Sequence, residues 1–123
     1  LNSVKKFHEV YKLDYNQTPT VKIPMEIIKL RFNLMSEENL EYFEAAKNND
    51  LIEVADALGD MLYILCGTII AHGMQGKIEE VFDEIQKSNM SKLDNDGNPI
   101  YRDDGKVMKG PNYFKPNFSK ILN

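Results

Sequence analysis

Eight carboxylates fall within the 24 residues from Glu37 to Asp60, and their spacing is the first feature of this sequence that suggests chemistry. Glu38 and Glu41 stand three apart, Asp56 and Asp60 four apart, and Glu53 lies one turn before Asp56. On a helix such pairs share a face, roughly 5–6 Å apart at their Cβ atoms. Like charges that close repel, and each loses solvation when it is buried. A cation between them removes both costs. Donors that are all carboxylate oxygen suit Mg²⁺ or Mn²⁺, hard ions that complete their shells with water and substrate phosphates.

The elements that must hold these acids are helices. No Gly or Pro interrupts the chain between Pro24 and about Lys47, and Ile23, Ile27, Leu30 and Leu34 form an apolar stripe in steps of four, three and four. Continued, that stripe reaches Glu38, Glu41 and Ala45, so two carboxylates occupy positions that should enter a core. Asn48-Asn49-Asp50 breaks the helix and offers Asp50 as the cap of the next, which runs from Leu51 to Ala71 and closes at His72-Gly73. This second long helix is apolar almost all round. Its few polar or small residues, Glu53, Asp56, Gly59, Asp60, Tyr63 and Gly67, align in one strip. Taken alone, Glu37–Glu44 reads as a solvated helix face, and Asp56 with Asp60 as partly buried acids bonded to Lys or Tyr. Acids on the core stripes of two neighbouring helices favour a cation site instead.

Around this pair the sequence predicts a short helix over residues 2–12 capped by Ser3, a loop from Asp14 to Thr20, and a helix over Lys77–Ser88. Beyond Met90 the turn signals Asp94–Gly97 and Asp103–Gly105 suggest a small β-hairpin, Pro99–Tyr101 with Lys106–Met108, and then an irregular arm. The expected fold class is all-α, a helical bundle with that hairpin and arm, forming a single domain over residues 1–123.

Composition narrows the function. With 19 acidic against 15 basic residues, a net charge of −4 argues against non-specific nucleic-acid binding. One cysteine, Cys66 in an apolar run, permits no internal disulfide and points to the cytoplasm, with the thiol as a small buried hydrophobe. Leu1–His8 lacks the apolar core of a signal peptide, and the apolar stretch Ala57–Ala71, about fifteen residues with Asp60 inside it, is short for a bilayer span. No membrane role is therefore expected. Neither histidine, His8 nor His72, follows a Glu by three residues, which argues strongly against a carboxylate-bridged di-iron bundle. His72, beside the helix end at Gly73, reads as a partner of the helix dipole.

The run Glu37-Glu38-Asn39-Leu40-Glu41, followed by Glu53-Val54-Ala55-Asp56-Ala57-Leu58-Gly59-Asp60, resembles the all-α nucleotide pyrophosphohydrolases, the superfamily of MazG, dimeric dUTPases and phosphoribosyl-ATP pyrophosphohydrolase. Glu38 and Glu41 match its Glu-x-x-Glu half, and Asp60 the final Asp of its Glu-x-x-Asp half. Ala57 stands where that second half has Glu; Asp56 is the natural replacement, and Glu53 a possible further ligand. Asn89-Met90-Ser91-Lys92 and Asp104–Tyr113 resemble the tail of a phage and bacterial MazG-like subgroup. The resemblance implies Mg²⁺-dependent hydrolysis of a nucleoside triphosphate or related nucleotide to the monophosphate and pyrophosphate. It implies Glu38, Glu41, Asp56 and Asp60 as metal ligands and Glu37 as the group that activates water. Lys92, Lys106 and Lys109 would contact phosphates, with Asn89 and Asn112 near the base or sugar. It also implies subunit assembly, as a homodimer or dimer of dimers, which the many-sided apolar surface of the second long helix independently demands. A non-catalytic descendant that binds a nucleotide, or serves as a helical scaffold, is the alternative that Ala57 keeps open.

Overall fold

A computed structural model describes residues 1–123. It is all-α, with α1 Asn2–Val10, α2 Met25–Lys47, α3 Leu51–Ala71, α4 Ile78–Met90 and a short α5 Ser119–Leu122. The chain forms two compact units, Leu1–Gly76 and Lys77–Asn123.

In the first unit α2 begins directly after Pro24, whose carbonyl accepts from Ile27 N at 2.9 Å and Ile28 N at 3.2 Å. Proline loses nothing there, because the first turn of a helix has no use for its missing N–H. α2 ends in a three-residue turn. Asn49 takes the left-handed conformation at φ 57, which Asn tolerates better than most residues, and Asp50 caps α3 by accepting from Glu53 N at 3.1 Å. So short a connection folds α3 back antiparallel along α2. α1 lies on α3, with Phe7 edge-on to Tyr63 at 5.7 Å between centroids.

The segment after α1 is tied to the end of α3. Asn16 N donates to Ile70 O at 3.0 Å and Asn16 Nδ2 to Ala71 O at 2.7 Å, while Thr20 N donates to His72 O at 2.9 Å. These bonds satisfy carbonyls that a helix C-terminus leaves orphaned. His72 Nδ1 donates in turn to Thr20 O at 2.8 Å, so this histidine ties the strap to the helix end. Gly73, at φ 68, passes so close to the Thr18 carbonyl that a side chain there would collide with it.

Three expectations change. Ser3 lies inside α1, which has no side-chain cap. Leu30 is 47% exposed, and Arg31 takes its place on the inward face of α2. The steps between Ile27 and Leu34 are three and four either way, and Arg31 in place of Leu30 is the choice that packs against Gly67. Finally α3, at 21 residues, is long and apolar enough to cross a membrane by length and composition alone, a test that core helices of soluble proteins also pass.

In the second unit the expected hairpin does not form. Tyr101 and Val107 make one isolated antiparallel bridge, flanked by Arg102 N to Lys106 O at 2.8 Å and Met108 N to Ile100 O at 2.7 Å. The ladder does not lengthen, because the next hydrogen-bonded position, Asn98, is already committed to the Asp94 turn through Asp94 N to Asn98 O at 2.8 Å and Asn98 N to Asp94 Oδ1 at 2.8 Å. The arm that follows is pinned to the end of α4. Buried Ser88 donates from Oγ to Phe114 O at 2.8 Å, and Ser91 Oγ accepts from Phe114 N at 3.1 Å. Gly110 sits against the carbonyls of Lys92 and Leu93, where no Cβ fits.

Candidate metal centre

The antiparallel pairing of α2 and α3 brings carboxylates from both helices to one point. Oxygens of Glu38, Glu41 and Asp60 all lie within 4.8 Å of one another. No lysine or arginine pairs with them; the one ion pair in the chain joins Arg102 and Asp104, at the other end of the sequence. Glu38 is half-buried, and its Oε2 is fully enclosed with no hydrogen-bond partner. Its carboxyl is pushed up to about 7, first by loss of solvation, then by the hydrogen bond and charge of Glu41, and then by the charges of Asp60 and Asp56. An enclosed, unpartnered carboxylate oxygen beside two further acids is a donor set short of its cation. Three hard oxygen ligands with room for water fit a divalent ion of the Mg²⁺ kind.

Asp56 is near enough for its charge to act on Glu38 but stands outside the three-acid group. It lines, with Glu41, Glu44 and Glu53, a groove of about 580 Å³ that continues from the group along the α2–α3 turn. Ala57 is 2% exposed, so a methyl group stands at that position, and Asp56 lies beside the three-acid group rather than in it. Glu37 is exposed on α2, next to Glu38 in the chain.

The other expected site residues lie in the second unit. Asn89 is in the last turn of α4 and exposed, and Lys92 follows it half-buried. Lys106 and Lys109 are exposed. Lys109 Nζ stands 4.9 Å from the centre of the Tyr113 ring, and Asn112 Nδ2 donates to Asn95 Oδ1 at 3.1 Å. Two groups went unnoticed in the sequence. Ser88 and Ser91 pin the arm that carries Lys109 and Asn112, and their signal was only a pair of hydroxyls at i and i+3. Arg31 shares the inward face of α2 with Glu38, seven residues on, and that heptad step was its signal.

Two antiparallel helices that bring three carboxylates to one point define a class of all-α proteins able to hold a cation between them. The profile of the phosphoribosyl-ATP pyrophosphohydrolase family matches residues 4–89, and the chain belongs to that family, within the MazG-like all-α NTP pyrophosphohydrolases. It is 32% identical over 68 residues to an uncharacterized protein of Acanthamoeba polyphaga mimivirus, a match that covers 55% of this chain and 27% of that one. The match thus spans about a quarter of that relative's length. Among solved structures it is similar to a candidate NTP pyrophosphohydrolase from Exiguobacterium sp. 255-15, at TM-score 0.50 and 27% identity over 94% of this chain and 87% of that one. Family and neighbour together support a hydrolase of this type.

Proposed function

We propose that this protein hydrolyses a nucleoside triphosphate, or a closely related nucleotide, to the monophosphate and pyrophosphate with Mg²⁺ as cofactor. The observation that carries the reading is the convergence of Glu38, Glu41 and Asp60 around an enclosed, unpartnered oxygen. Glu38, Glu41 and Asp60 hold the ion, and Asp56 joins them from the flank, with Glu53 behind it. When bound, the ion neutralises charge on the phosphate oxygens and on the departing pyrophosphate, and Mn²⁺ would serve in the same way. Glu37, adjacent in sequence and exposed, takes the proton from the attacking water. Lys92, Lys106 and Lys109 are the phosphate contacts and Asn89 and Asn112 the nucleoside contacts in this reading. Residues 1–123 act as one working domain in the cytoplasm, with no nucleic-acid or membrane partner, α3 being a core helix of an oligomer.

A screen of nucleoside triphosphates and related nucleotides for pyrophosphate release, with and without Mg²⁺, tests the reading. Release that requires the metal is expected for at least one nucleotide. Turnover at saturating substrate should then fall ~10²–10⁴-fold in Glu37→Gln with metal affinity kept. Mg²⁺ binding with no release from any nucleotide would instead establish a non-catalytic nucleotide-binding or scaffold protein.

A further inference from the structure

Arg31 has no role in the centre described above, yet its setting is unusual. It lies on the inward face of α2, seven residues before Glu38, and meets Gly67 of α3, seven residues after Asp60. The two contacts are therefore in register along one antiparallel seam. At roughly 1.5 Å of rise per residue, about 10 Å separates the arginine from the acids along that seam, within the length of a nucleoside triphosphate. The guanidinium lies where a side chain at residue 67 would project. A Cβ there would collide with Arg31 Nη1, and would stand 3.5 Å from Cζ and 3.2 Å from Cε1 of the buried His8.

This half-buried cation makes no ion pair and no hydrogen bond within the chain, and its Nε is fully enclosed without a partner. Gly67 has no side chain, and no hydrogen bond joins the arginine to His8, whose Nδ1 donates to Val4 O at 3.0 Å. Burial alone holds the arginine's pKa below its usual value, with no carboxylate close enough to offset that. Enclosing Nε with no acceptor costs stability that an acceptor arriving from outside would recover. The planar fork of arginine matches two oxygens of a phosphate in one plane, which a lysine cannot do. A polyanion drawn to the carboxylate cluster also needs a fixed positive group beyond the metal, because the acids themselves repel it.

We propose that Arg31, seated over Gly67, is a phosphate-binding residue of this site, gripping the substrate's phosphate chain at the end remote from the acids. This inference rests on the pyrophosphohydrolase reading, and one experiment separates the two. Inorganic pyrophosphate is titrated calorimetrically into the Mg²⁺-saturated full chain, as wild type, Arg31→Met and Arg31→Lys, with nucleotide turnover and sedimentation measured in parallel. The Met variant, similar in length and uncharged, should bind pyrophosphate at least tenfold more weakly, equivalent to about 1.4 kcal/mol, and raise KM far more than it lowers kcat. The Lys variant should recover part of the affinity, and it carries the test if the Met variant does not fold. Both should keep the oligomeric state of the wild type. Pyrophosphate affinity within twofold of wild type in both variants overturns the assignment even if wild-type turnover is normal. So does wild type that binds no pyrophosphate, or variants that lose affinity only because the assembly dissociates, which would make a carboxylate of a second copy the missing acceptor. Wild type that binds pyrophosphate through Arg31 yet hydrolyses no nucleotide would uphold the arginine and sink the enzyme.

Discussion

Glu38 is the residue on which the chemistry turns. Its carboxyl is pushed up to about 7 by burial and by its acidic neighbours, well above its value in an unfolded chain. A carboxyl raised in the folded state holds its proton more tightly there than in the unfolded chain, so its contribution favours folding at low pH. That contribution fades as pH rises from the ordinary glutamate range toward 7. A metal requires the ionised form and displaces the proton. Without metal, the melting temperature should therefore be higher near pH 5 than near pH 8, and Mg²⁺ should reverse that order by stabilising most at the higher pH. Titrating Mg²⁺ near pH 6 in buffers of different ionisation enthalpy should show proton uptake by the buffer. In Glu38→Gln both the proton release and the binding should vanish while the far-ultraviolet spectrum stays helical. Unchanged Mg²⁺ titration in that variant would remove the acid from the centre.

The α2–α3 hairpin with α1 laid across it is the element that turns scattered acids into a group. Gly67 is its tightest point, with the arginine of one helix and the histidine of another both pressed against it. Gly59 and Gly67 both lie on the strip of small and polar residues along α3. Gly59 has open space around it, whereas Gly67 is used within the chain. Gly67→Ala gains a little helix propensity, but the methyl must displace the guanidinium and crowd His8. Overpacking of this kind costs roughly 1–3 kcal/mol, against at most ~1 kcal/mol returned by the alanine. A net loss of stability is expected in urea denaturation, while Gly59→Ala should be neutral or stabilising. Equal stability gains in both would show that Arg31 yields at no cost and that the seam is loose.

At the scale of the whole molecule, the apolar surface is too large for one chain. On α3, Leu51 and Ile52 are about four-fifths exposed and Leu62 is 63% exposed, and Phe32 on α2 is 65% exposed. Phe32, Met35, Met61, Leu62 and Leu65 line a single cleft of about 400 Å³ between α2 and α3. Scattered exposed leucines are ordinary, but a contiguous patch of this kind marks an interaction surface, and we propose that another protein covers it. A second copy of the chain is the simplest cover, as a dimer or a dimer of dimers. Sedimentation at micromolar concentration should therefore show no appreciable species near 14.2 kDa. Leu62→Glu should dissociate the assembly. A folded, active wild-type monomer would place the cover elsewhere.

What the sequence by itself determined is local. The helices could be read because their signals lie within one turn of the residues they govern. Asp50 caps α3 as its side chain predicts, α3 spans Leu51–Ala71 between the breaks at Asn48–Asp50 and His72-Gly73 as predicted, and acids stand at helical spacing on both long helices. The family likeness was legible for the same reason, being carried by short runs within those helices. What only the tertiary structure decided is how the faces meet. Heptad-like steps fit two stripes on α2 equally well, and contact with Gly67 chose the one that turns Arg31 inward and Leu30 out. Asp56 and Asp60 share a helix face by spacing, yet the pairing with α2 gathers Asp60 with Glu38 and Glu41 and leaves Asp56 outside them. The hairpin failed in the same way. Its turn residues do turn, but whether a ladder extends depends on what the flanking N–H groups are doing, and Asn98 had bonded to Asp94 instead. Periodicity fixes what a residue can face; only the neighbouring helix or turn, brought close by the rest of the chain, fixes what it does face.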